Sequence, residues 1–320
     1  MQRSRRFFFK RLALIGLAIA IAGLTLVWQL PKPAQAQTRF EPEQQIFTLS
    51  LLSNSVSGYA GNQAELQAEL QQRVTGALAD QRVQQAIGDW DVVWGPVVYT
   101  APFAVFATNA MYVARQGNQY VIAIAGTNYA SVYDWMIEDA DVVASQQVVW
   151  PYRQVTGSNP KLSEGTDTGL QRLLAMEANE QTLIEFLHSI MRTSAGDTIQ
   201  LIFTGHSLGG ALAPTLALAI ADQQSDWSRG NPFQMAVYPT AGPTPGNRDF
   251  ATYYDQRLGP NTTRIWNSLD IVPHAWAAAD LTQIPNLYEP AIPPNPLVKS
   301  FIKQLSALAT GGDYQQILPT

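Results

Sequence analysis

The stretch Thr198-Ile-Gln-Leu-Ile-Phe-Thr-Gly-His-Ser-Leu-Gly-Gly-Ala211 decides the fold. Thr198 to Phe203 is short, apolar and rich in β-branched residues, which reads as a buried strand. Beyond it Leu208, Ala211, Leu212, Thr215, Leu216, Ala219 and Ile220 recur at helical spacing. A strand therefore turns into a helix with Ser207 at the corner. Gly205 and Gly209 stand two residues to either side, where a Cβ would obstruct the turn or the packing behind it. A strained Gly-x-Ser-x-Gly turn of this kind holds a hydroxyl out above the edge of a sheet. Leu208 falls at the helix start, where its N–H has no intrahelical acceptor and is free to donate to an oxyanion.

Upstream, Glu65 to Ile87 carries an apolar stripe at Leu66, Leu70, Val74 and Leu78 and predicts one helix ended by Gly88. Trp90 to Tyr99 reads as a strand. Ala110–Ala114 and Gln119–Ala125 flank a glycine turn and read as a hairpin. The second of these strands ends in Gly126-Thr127, a place from which a second oxyanion donor can arise. Tyr129 to Asp141 alternates aromatic and acidic residues beside that loop, and Val142 to Gly169 is polar and turn-rich. Leu170 to Met191 predicts a helix with His188 near its apolar face, read as structural. Downstream, Phe233–Tyr238 reads as a strand, Asn247–Leu258 as a helix and Thr263–Asn267 as a strand leading into Ser268-Leu-Asp-Ile-Val-Pro-His274. An acid at the carboxyl end of a strand, following the serine in sequence, fits the order serine, acid, histidine.

Composition narrows the function. Residues 1–36 carry six basic and no acidic residues, an uncharged apolar run from Leu12 to Val27 and an Ala34-Gln-Ala36 cleavage site. That order reads as a secretory signal peptide, and Ser4-Arg-Arg-Phe-Phe-Phe-Lys10 is similar to the twin-arginine export motif. The expected location is exported, periplasmic or extracellular, with a retained N-terminal membrane anchor as the alternative. Residues 37–320 suit one α/β domain. They keep 14 basic against 25 acidic residues, a net charge of −11, which argues against nucleic acid as partner. The chain has no cysteine, so disulfides and thiol chemistry are excluded, and three unclustered histidines argue against a zinc site.

Three segments together resemble the class 3 (fungal-type) lipases, a branch of the α/β-hydrolases. They are the oxyanion strand Val121-Ile-Ala-Ile-Ala-Gly-Thr127, the elbow Ile202–Ala211 and the acid motif Asn267-Ser-Leu-Asp-Ile-Val-Pro273. The resemblance implies an α/β-hydrolase fold, a three-layer sandwich around a mostly parallel central sheet. It implies a carboxylic-ester hydrolase of lipase type, in which Ser207 is the nucleophile, Asp270 orients the histidine, and Thr127 and Leu208 serve the oxyanion. The substrate side would be a lipid or other acyl ester, with contact to a membrane or lipid surface, and no metal or organic cofactor is needed. Phe103, Trp135 and Trp276 are candidates for the acyl-binding surface.

Two departures from the family pattern matter. Ala125 stands where the family carries an arginine before its glycine. The family's catalytic histidine lies well after the acid, and here no histidine follows His274. Three accounts follow: the segment bearing the histidine is missing; Gly311–Ile317 aligns with the histidine loop, with Gln316 in place of imidazole; or His274 is the base. The ending Ile-Leu-Pro-Thr320, without a closing helix, favours the first, and the four-residue spacing from Asp270 speaks against the third. A protein that binds lipid or polymer on a decayed, inactive scaffold is the alternative function.

Overall fold

The computed structural model describes residues 39–126, 146–194 and 196–318. The segment expected to be a signal peptide, the Tyr129–Asp141 stretch, Thr127 and Trp135 lie outside the described residues. Five strands form the central sheet: β1 (Asp91–Tyr99), β2 (Asn109–Gln116), β3 (Gln119–Ile124), β4 (Ile199–His206) and β5 (Phe233–Thr240), in spatial order 1-2-3-4-5. The β1–β2 and β2–β3 pairs are antiparallel, while β3, β4 and β5 run parallel. The segment expected as a strand at Thr263–Asn267 continues the parallel side through bridges Val237–Thr262 and Thr240–Ile265, with Thr263 and Ile265 N–H donating to Val237 and Pro239.

Side chains alternate along each strand, and the two faces bury different helices. Val121, Ala123 and Ile202 pack in one apolar cluster with α1 (Pro42–Ser53), α2 (Gln63–Ala79) and α3 (Gln81–Ile87). Ile122, Ile124, Leu201 and Phe203 pack in the other, with α4 (Glu164–Ala175), α5 (Leu183–Thr193), α6 (Leu208–Asp222) and α7 (Arg248–Leu258). The result is the helix–sheet–helix sandwich that the resemblance implies. A third cluster joins Trp276, Leu281 and Ile284 to Ile302, Leu305 and Ala309 of α8 (Pro296–Thr310).

Two predicted helices are each two helices. The 65–87 stripe breaks at Asp80, which is extended (ψ 123°) and accepts from the Arg82 N–H, capping α3. The 170–191 segment is interrupted by a minimal hairpin, Glu177–Ala178 with Gln181–Thr182, turned by Asn179 and Glu180 at φ 51° and 62°. Here α4 starts earlier, because Ser163 accepts from the Thr166 N–H. The turn-rich stretch before it forms a two-stranded sheet, Gln147–Val149 with Lys161–Ser163.

Candidate active site

Parallel strands end where ligands of open α/β sheets bind, and β4 ends at His206, one residue before Ser207. The serine has φ 58° and ψ −124°, a region that L side chains rarely adopt, and it immediately precedes α6. Three contacts hold the corner: Ser207 N–H donates to Thr240 O at 3.0 Å, Gly210 N–H donates to Ser207 O at 2.8 Å, and α6 is sunk into the core through 13 buried residues. The glycines are required by close approach. A Cβ on Gly205 would overlap the Gly209 carbonyl, and one on Gly209 would lie 2.5 Å from Ile124 O. Leu208 is the first residue of α6, so its N–H points out of the helix without an acceptor one turn back.

The end of β3 comes to the same corner. A Cβ on Gly126 would lie 2.5 Å from His206 O and 3.2 Å from the Ser207 Cβ. The Gly126 N–H donates to Asn54 Oδ1 at 2.8 Å, so the residue following α1 fixes the start of the expected oxyanion loop. Sequence reasoning missed Asn54; its partner is 72 positions away, and no local pattern announces the pair. Thr127, the expected second oxyanion contact, lies outside the described residues.

Asp270 follows the sixth, bridged segment. Asn267 Oδ1 accepts from Leu269 N–H, and Asp270 Oδ1 accepts from Val272 N–H at 3.0 Å, which sets the carboxylate in a tight turn. Burial pushes the His206 imidazole below its usual 6.5, and the nearby Asp270 charge pulls it part of the way back. The ring of Phe47 from α1 lies 6.2 Å from that imidazole. Ser207, His206 and Asp270 thus belong to one edge of the sheet.

His274 is buried edge-on against Trp266, its Nε2 is 3.3 Å from Ser268 O, and it lines a cavity of about 590 Å³ with Arg264, Asp280 and Gln316. Ser207 is not among the residues lining that cavity. Burial lowers Arg264 to about 10 there. Gln316 is buried too, its amide donating to Gly242 O at 3.1 Å. Among the described residues, no hydrogen bond joins the Ser207 hydroxyl to His188, His206 or His274; His188 lies 3.4 Å from Arg229. Of the expected acyl-wall residues, Trp276 is 3% exposed and part of the core, whereas Phe103 is fully exposed.

A mixed sheet, parallel from β3 to β5 and covered by helices on both faces, with a strained serine between strand and helix, is the α/β-hydrolase arrangement. The sequence profile of Lipase (class 3) matches residues 121–279, which carry all three motifs. A solved structure described as M37 lipase is 35% identical and superimposes with a TM-score of 0.77 over 87% of this chain and 83% of that one. The chain belongs to the class 3 lipases. It is also similar to a lipase of Rhizopus niveus, 34% identical over 100 residues, which covers 31% of this chain and 24% of that one. Similarity extends to chloroplastic phospholipase A1-Igamma2 of Arabidopsis thaliana, 27% identical over 191 residues, covering 58% and 36%. The matches thus span about a quarter to a third of the length of these two relatives.

Proposed function

We propose that the chain hydrolyses carboxylic esters of lipid type through an acyl-serine intermediate, with Ser207 as nucleophile. The observation that carries this reading is the Ser207 backbone, held at φ 58° by a glycine cradle at the end of β4. Strain of that kind persists only where the surrounding structure imposes it, and it brings the hydroxyl out of the strand. In the reaction Ser207 Oγ attacks the acyl carbonyl and loses its proton to an imidazole. The new oxyanion takes hydrogen bonds from the Leu208 N–H and from Thr127; the alcohol leaves with the proton, and water repeats the sequence to release the acid. Asp270 steadies the imidazolium. The relatives named as a lipase and a phospholipase A1 support lipid acyl esters as the substrate class. The charge order of residues 1–36 supports export, and no described helix is long and apolar enough to cross a membrane.

Hydrolysis of a chromogenic fatty-acyl ester by the full chain tests the reading. Turnover that falls to background in Ser207→Ala supports it, and turnover that survives overturns it. The same assay assigns the base: loss in His274→Ala with the fold intact places the proton on His274, and unchanged turnover excludes that residue. In serine proteases the histidine alone is worth on the order of 10⁶ in turnover, so the two results are far apart.

A further inference from the structure

The β1–β2 connection, residues 100–108, ends on the same edge of the sheet as Ser207. The register requires this: Tyr99 pairs with Asn109, Met111 with Ile124, and Ile124 with Gly205. The loop is built rather than loose. Thr108 N–H donates to Tyr99 O, Ala104 N–H to Ala101 O, and Gly61 N–H to Val105 O. At its tip Phe103 is 104% exposed and has φ 65°. An aromatic residue held in the left-handed region, with none of the described residues packed on its ring, contributes no burial to the described fold. Val105, Leu51 and Tyr59 are also exposed on the segments tied to it.

We propose that this loop is a lipid-docking tip, which enters the surface of a bilayer or droplet and sets the Ser207 edge against it. The proposal rests on the reading of Ser207 as an ester-hydrolysing residue only for its purpose; the docking itself is independent. Charge supports a lipid surface as the occupant. Residues 44–64 and 92–114 contain no charged side chain, so the loop and the segment tied to it bring no charge of their own to a lipid surface, in a chain whose residues 37–320 carry −11. Area also decides against a second copy. A stable dimer buries about 800 Å² per partner, whereas a projecting phenylalanine offers about 150–250 Å², enough for a soft lipid phase. A different surface could compete: α8 exposes Leu297, Val298 and Phe301 beside Lys299 and Lys303. Docking through α8 would need anionic lipid.

The chain has no cysteine, so a single introduced thiol reports one place. Ala104→Cys, in a Ser207→Ala background and labelled with an environment-sensitive fluorophore, is mixed with phosphatidylcholine vesicles. The expected result is a blue shift and quenching by spin-labelled lipid. Neither should change with 20% phosphatidylglycerol or with 0.5 M salt, on the order of what screens exposed charges at contact distance. Phe103→Ala in cis should lower the inserted fraction about tenfold, Phe103→Asp should abolish it, and Phe103→Trp should restore it. A label that stays as in water, or is indifferent to Phe103→Asp, overturns the proposal. So does a shift that appears at Val298→Cys instead and requires anionic lipid. The reading is taken without turnover, so a failure of docking and a failure of the chemistry at Ser207 are seen separately.

Discussion

Backbone geometry at single residues sets the site. Gly205 faces the Gly209 carbonyl across the corner, leaving no room for a methyl group. Gly205→Ala should therefore cost about 2 kcal/mol through overpacking and take ester turnover down with it, measured by urea unfolding beside activity. Asn54 is the one side-chain acceptor on the Gly126 N–H among the described residues. Asn54→Ala should leave that donor unpaired at a cost of about 1–3 kcal/mol. It should lower kcat more than it raises KM, since the loop carrying the expected Thr127 contact loses its tether; unchanged kcat would remove Asn54 from the positioning role. His206 gives a pH dependence of known sign. Its folded imidazole ionises below 6.5, so the unfolded chain binds the proton first and stability drops as pH falls below about 6.5. Thermal unfolding at pH 7.5 and 5.5 should show this loss reduced in His206→Gln.

Elements place those residues, and here the buried Asp222 at the end of α6 matters most. Its carboxylate accepts from Trp150 Nε1 at 2.9 Å and from the Tyr253 hydroxyl at 2.6 Å, and lies 3.4 Å from Arg257. It thereby ties the helix that follows Ser207 to α7 and to the segment after the small 147–149 strand. Asp222→Ala leaves two donors without a partner and should destabilise by about 3 kcal/mol, read as a lower urea midpoint with an unchanged slope. Strands, the elbow and the acid turn were legible because each writes a local pattern: β-branched runs, glycine spacing, an acid after a strand. Helix interruptions were not. The stripe Leu66–Leu78 keeps its period up to Asp80, and what ends the helix there is a side-chain cap on Arg82 rather than a glycine. At 176–182 the chain turns on Asn179 and Glu180 at positive φ, where neither residue is a glycine to mark it.

For the whole molecule, side chains along β3 and β4 alternate between two buried faces, and each face lies in its own apolar cluster. The fold and its family were readable from three motifs that the central strands bring together. The acid–base relay was not: the sequence orders His274 after Asp270, and the structure sets its ring against Ser268 O and a cavity shared with Arg264, Asp280 and Gln316. Spacing along a chain does not say which way a buried ring faces. Long-range pairs such as Asn54 with Gly126 leave no trace in either local sequence. The central claim remains that the strained corner makes Ser207 the reacting group. Its most direct test is labelling of the full chain with a fluorophosphonate probe, followed by peptide mass mapping. The account predicts one adduct per chain, on Ser207, absent from Ser207→Ala. Labelling at another residue, or none from folded protein at saturating probe, would contradict it.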